Sequence, residues 1–274
     1  MVITIADKIR ILLKAWGIIN LLPNYRMWLK HLFNPIDAVR YLEFGYLYKF
    51  LNIYSLSNLT ILDIASPYVM AYILADDHQV LVTNIDVREI QNFPRTEKLK
   101  FESQNAISLP YSNNQFDLVY SISVIEHIYS NYLQAIREMV RVTKNNGYIY
   151  LTFPVSKQYI EEWRADDVYG HQYKENDQAF FQYRFDANHI VDLLSQIQNI
   201  KIIHQDIFWE KIDGSYNVMI KFLGLHIRIK PLNLLKNSLI NYLCGFSLLN
   251  KWPDANFNKA KNFGNMHLIM KKII

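Results

Sequence analysis

The chain has 274 residues, the length of one α/β domain with additions, and 51% of them are hydrophobic, which supplies a full core and excludes disorder as the general state. A single cysteine, Cys244, excludes an internal disulfide and a thiolate-based zinc site, and points to a reducing, cytoplasmic setting. The net charge of +4 is unevenly laid out: residues 221–274 carry nine Lys or Arg against Asp254 alone, residues 1–57 carry seven basic and three acidic groups, and the middle of the chain is acidic. That polarity suits an anionic partner or simply a solvated basic face.

Residues 1–57 read as an N-terminal helical cap of two or three helices, ahead of a domain spanning 58–274. The opening MVITIADKIRILLKAWGIINLL is apolar, but Asp7, Lys8, Arg10 and Lys14 interrupt it and no small-residue cleavage site follows, so it reads neither as a signal peptide nor as a membrane span. The last helix of the cap is expected over 36–51, IDAVRYLEFGYLYKFL.

From Leu59 onward, β-branched runs alternate with segments of helical period, the pattern of parallel βαβ units. TILDI (60–64) is the first strand. Ser66 stands at an N-cap position and Pro67 at N1, predicting a helix over 68–77. Further strands are expected at 80–86, 99–103, 116–122 and 147–153, with a helix over 132–142 stopped by Asn145-Asn146-Gly147. A helix capped by Asp186 (186–197), a strand at 200–208 and a final strand at 266–274 complete the pattern. Residues 210–263 are an insertion between the last two strands, too long for a hairpin. Inside it, Pro231, the leucines at 232, 235, 239 and 243, and Gly245 past the end predict one amphipathic helix. The apolar stripe is expected to pack, so that residues 222–250 form part of a substrate lid or a homodimer contact, with a peripheral membrane contact as the alternative.

Asp63 and Asp86 end strands separated by one helix, which puts both carboxylates at the carboxyl edge of an open sheet, where such folds bind ligands. An acid in the place of Asp86 is positioned either to accept hydrogen bonds from a ribose diol or to cap the following helix.

The series ILDIASPY, NIDV, FESQNAISLPYSNNQFDLVYSISVIEH and REMVRVTKNNGYIYLTFP, in that order across roughly residues 59–155, resembles the class I S-adenosylmethionine-dependent methyltransferases of the small-molecule type. The resemblance implies an α/β, Rossmann-like seven-stranded, mostly parallel sheet whose last strand is antiparallel, and S-adenosyl-L-methionine as cofactor. It implies that Asp63 lies under the cofactor, that Asp86 binds the ribose hydroxyls and that Val87 lines the adenine. It also implies that Asn105 and Ala106 stand where the family has an Asp-Ala pair, and that Ser121 and Ser123 lie beside the methionine portion. Ala65-Ser66-Pro67 replaces the family's Gly-x-Gly loop. Arg40 and Glu43, three apart on one helix face, are either an ordinary surface ion pair or the pre-strand charges that close over the methionine tail, with Arg40 on its carboxylate.

For a hydroxyl acceptor a base must take the proton; His127 is the first candidate and His171 the second. No metal is expected, because Asp166-Asp167 has no second set of ligands, and no nucleic-acid module is present. The expected reaction is methyl transfer to an oxygen or nitrogen of a small, aromatic or apolar molecule, with a catalytically inactive binding or scaffold subunit as the alternative.

Overall fold

In the computed structural model, which describes residues 1–91, 93–170, 172–254 and 257–274, the chain begins with three helices, α1 (Ile5–Gly17), α2 (Tyr25–Phe33) and α3 (Arg40–Ile53). The alternating region then gives β1 (Thr60–Ile64), α4 (Tyr68–Leu74), β2 (Gln79–Asn84), α5 (Val87–Gln91), β3 (Leu99–Ser103), β4 (Phe116–Ile122), α6 (Tyr132–Val142) and β5 (Thr143–Val155). After it come β6 (Ile160–Arg164), β7 (Lys174–Glu175), β8 (Gln178–Arg184), α7 (Ala187–Ser195), β9 (Ile200–Trp209), α8 (Ser215–Gly224), α9 (Lys230–Ser247) and β10 (Gly264–Lys272).

Seven strands form one sheet in the order β3-β2-β1-β4-β5-β10-β9. The pairs among β1 to β5 are parallel, while β10 runs antiparallel between β5 and β9, as expected for this fold class. The strand order reverses between β1 and β4, so their carboxyl ends open a crevice at the switch point of the sheet. On one face α3 buries Tyr41, Phe44, Tyr46 and Phe50 against Tyr120, Tyr150 and Phe208; a helix apolar on nearly every side is a core helix. On the other face α6 and α7 bring Ile136, Met139, Ile190 and Leu193 onto Leu62, Val119 and Phe153.

Several local readings are corrected. Ser66 does not cap the next helix: Pro67 is its N-cap residue, and the Ser66 hydroxyl instead accepts from the Ile122 N–H of β4 at 2.9 Å. That helix also ends at Leu74 rather than 77, and β2 ends at Asn84, two residues before Asp86. Asn145-Asn146-Gly147 is a bulge within β5 rather than a separate turn. Asn146 has φ 65°, and a Cβ on Gly147 would stand 2.8 Å from the Asp117 carbonyl oxygen. The second sheet, β6-β8-β7, has no counterpart in the sequence reading, because its strands are short and rich in charge and aromatics.

The insertion holds two helices, not one, and Gly245 lies inside α9 rather than beyond it. The orientation of α9 is also the reverse of the packed stripe expected. Ser238, Asn241 and Gly245 face the body, whereas the leucines stay exposed. A Cβ on Gly245 would fall 2.5 Å from the Tyr41 ring, so only a glycine permits this approach of α9 to α3. Asn241 Oδ1 accepts from the Ala38 N–H at 3.1 Å, and Lys8 Nζ donates to the Gly245 carbonyl at 2.8 Å. Buried backbone groups that need partners therefore select the small, polar face of α9.

Candidate active site

The loop leaving β1 is held from below. Asp63 is fully buried; its Oδ1 accepts from the Ser66 N–H at 2.9 Å and its Oδ2 from the Tyr120 hydroxyl at 2.7 Å. Burial pushes its carboxyl up to about 6 even though the hydrogen bonds from Tyr120 and Ser66 act the other way. Asp63 thus serves the loop itself. Ala65 follows with φ 52°, the left-handed conformation that a glycine adopts freely, and its N–H donates to the Thr83 carbonyl at 2.7 Å. An alanine thus holds the conformation for which a glycine is ordinarily used.

Two residues past β2, Asp86 is engaged by Arg88 on both carboxylate oxygens. Oδ1 accepts from the Arg88 N–H and Nε at 2.9 Å, and Oδ2 from Nη2 at 2.6 Å. The same Nη2 donates to the Tyr169 carbonyl at 3.0 Å, tying β2 to the loop after β6. Arg88 is a neighbour of Asp86 that the sequence reading missed; its position two residues after the acid was the available signal. Val87, the first residue of α5, is exposed. Beyond β3, Asn105 is exposed with its Oδ1 accepting from the Ile107 N–H at 3.1 Å, and Ala106 is half-buried.

At the end of β4 the two serines differ. Ser121 is buried and its hydroxyl donates to the Ile64 carbonyl at 3.3 Å, so it clamps β4 to β1. Ser123, with φ 50°, donates to Glu43 Oε1 at 2.7 Å. Glu43 is fully buried and also accepts from Thr152 Oγ1 at 2.7 Å, from Asn265 Nδ2 at 3.0 Å and from the Arg40 guanidinium. Burial alone would raise its carboxyl; the Arg40 charge and the Ser123 hydrogen bond outweigh that and hold it lowered. Arg40 and Glu43 are therefore a pair, as their spacing suggests, but with the acid in the core and the Arg40 side chain 21% exposed toward the crevice. Thr152 and Asn265 were not legible, being 109 and 222 residues distant from Glu43.

Glu126 and His127 follow in a short 3-10 turn, Ile125–His127. Glu126 is buried with Oε2 lacking a hydrogen-bond partner, and burial pushes its carboxyl up to about 8, so it is largely protonated at neutral pH. His127 Nδ1 lies 2.5 Å from the Phe181 carbonyl oxygen, which can only accept, so Nδ1 carries the proton. Nε2 is then the lone-pair nitrogen, 3.3 Å from the Tyr169 hydroxyl. Burial lowers the imidazole to about 4, leaving it neutral at pH 7. His171 lies outside the described residues. Beside this edge a cavity of about 500 Å³ opens between α2, α3 and α4, lined by Met27, Asp37, Arg40 and Pro67 and by the rings of Tyr68 and Phe93, stacked at 4.0 Å.

The protein family described as "Methyltransferase domain" matches residues 62–151, the stretch from β1 to β5 that carries this edge. An uncharacterized protein of Methanocaldococcus jannaschii is 29% identical over 140 residues, 51% of this chain; the chain spans 58% of that relative's length. Among solved structures, coclaurine N-methyltransferase bound to N-methylheliamine and S-adenosylhomocysteine superposes with a TM-score of 0.51 at 14% identity, covering 84% of this chain and 70% of that one. A SAM-dependent methyltransferase of Methanosarcina mazei does so at 0.51 and 15%, covering 83% and 98%. The [4+2]-cyclase SpnF also reaches 0.51, at 17% identity and covering 80% and 76%, so at these identities the likeness speaks for the fold alone. Residues 62–151, which run from β1 to β5 of a sheet in this strand order, match a methyltransferase domain family.

Proposed function

We propose that the protein transfers the methyl group of S-adenosylmethionine to an oxygen or nitrogen of a small, largely aromatic or apolar molecule. What carries this reading is Ala65 in the left-handed conformation, held from below by Asp63, at the switch point between β1 and β4. A non-glycine residue there is strained by roughly 1–2 kcal/mol, and such strain persists where a binding loop needs the shape. The donor set suits the cofactor: Asp86 for the ribose diol, Val87 and Ala106 for the faces of the adenine, Asn105 for its amino group, and the backbone of Ala65-Ser66 for the methionine portion. Arg40, its charge partly spent on Glu43, turns its remaining donors to the methionine carboxylate. Arg88 shares Asp86 with the diol or swings out from it.

Bound S-adenosylmethionine supplies a methyl group already activated on sulfur, which leaves the chain to orient the acceptor and to handle its proton. His127, neutral with Nε2 as its lone-pair nitrogen, takes that proton when the acceptor is a hydroxyl. The Tyr68–Phe93 stack and Met27 line the neighbouring cavity with apolar surface fit for an aromatic acceptor.

Calorimetric titration with S-adenosylhomocysteine tests the reading. We expect binding by the native chain and at least tenfold weaker binding by Asp86→Ala, since hydrogen bonds to a charged group are worth about 1.5–3 kcal/mol each. If the folded native protein binds neither donor nor product, a non-catalytic subunit is the better description.

A further inference from the structure

We propose that the outer face of α9, with the adjoining faces of α2 and α8, is a docking surface for an anionic lipid membrane. α9 turns its small and polar residues inward, leaving Leu232, Leu235, Leu239 and Leu243 exposed by 48%, 49%, 60% and 60%. These leucines lie on one side of an 18-residue helix, a continuous apolar strip. On α8, Val218 and Phe222 are exposed as well, and Lys236 Nζ of α9 donates to the Phe222 and Leu223 carbonyls, closing the end of α8 against it. On α2, which packs beside α9, the exposed apolar side chains are Tyr25, Trp28, Leu29 and Leu32. A patch of this kind on one side of a folded protein marks a site of association.

Charge selects the occupant. No Asp or Glu occurs between residues 214 and 253, while Lys221, Arg228, Lys230, Lys236 and Lys251 all do. α2 is likewise free of acids and carries Arg26 and Lys30. A second copy seated two-fold on this face would bring cations against cations. Anionic headgroups instead neutralise them while the leucines enter the acyl boundary. The exposed aromatic rings of α2 fit the same place: Trp28 and Tyr25 are the amphipathic side chains that settle at headgroup depth. Among the described residues no helix is long and apolar enough to cross a membrane, so these helices would lie in the plane of the surface.

Co-sedimentation of the full chain with vesicles tests the proposal independently of any methyl transfer. The probes are phosphatidylcholine vesicles with and without about one-third phosphatidylglycerol. The expected result is binding to the anionic vesicles, weakened by raised salt and at least tenfold weaker to the neutral ones. Leu235→Glu/Leu239→Glu and Arg228→Glu/Lys230→Glu should each lower anionic-vesicle binding at least tenfold. All four positions are exposed or half-exposed, so an unchanged circular-dichroism melting curve establishes that the variants fold. Absence of binding to anionic vesicles by the native chain would overturn the proposal. So would a discrete dimer in sedimentation velocity that Leu235→Glu/Leu239→Glu dissolves while vesicle binding is unaffected.

Discussion

His127 is held in one tautomer by a backbone carbonyl and kept neutral by burial, and the two effects pull its catalytic usefulness in different directions. The lone pair on Nε2 accepts from the Tyr169 hydroxyl and stays unprotonated throughout the physiological range, yet a conjugate acid near 4 makes a weaker base than an ordinary imidazole. In the proposed role as base, the lowered value means that protonation, and with it loss of that role, sets in only as pH falls toward 4. For a hydroxyl acceptor the acid limb of kcat/KM against pH should therefore lie near 4 instead of the usual histidine value of about 6.5. His127→Ala should slow turnover by roughly 10²–10⁴-fold with cofactor affinity little changed. A limb near 6.5 that persists in His127→Ala would give the proton to another group.

The loop after β1 holds an alanine in the left-handed region. Replacing Ala65 with glycine should relieve about 1–2 kcal/mol of left-handed strain and cost about 0.4–1 kcal/mol through a freer unfolded chain. Ala65→Gly is therefore expected to stabilise the protein slightly, by up to about 1.6 kcal/mol in urea unfolding, with S-adenosylhomocysteine binding retained. A clear destabilisation would mean that the methyl group of Ala65 packs favourably. The contrast with α9 explains what was legible in the sequence. β3, β4 and α6 fall where the periodicity puts them, because a strand or helix with one or two buried faces must show that in its pattern. The Arg40–Glu43 ion pair was likewise readable, being set by spacing on one helix. α9 was misread because its leucines are periodic without being buried, and periodicity alone does not tell which way a helix faces. Thr152 and Asn265 escaped for another reason: a hydrogen bond between elements leaves no local trace in the chain.

Across the whole molecule, Glu43 joins what the sequence keeps apart. Its carboxylate holds α3 to the end of β4 through Ser123, to β5 through Thr152 and to β10 through Asn265. Glu43→Ala strands the Arg40 charge and three donors in the interior and should cost about 3–5 kcal/mol, read from chemical denaturation. Because the folded carboxyl is lowered, its contribution is present above the ordinary value of 4.5 and is lost as pH falls below it. The native chain should therefore lose stability faster than Glu43→Gln on acidification from pH 5 downward. Equal slopes would show that Glu43 is not the group responsible.

The place of β10 has a bearing on synthesis. It lies between β5 and β9 rather than at a margin of the sheet. Until residues 264–272 have left the ribosome, β5 and β9 each present an unpaired edge, and Glu43 lacks its Asn265 donor. The nascent chain thus spends its translation with two adhesive strand edges open, a hazard that ends only when the last strand slots between them. Chains stopped at Phe263 should be insoluble or bound by chaperones, although they contain every residue of the family-matched region.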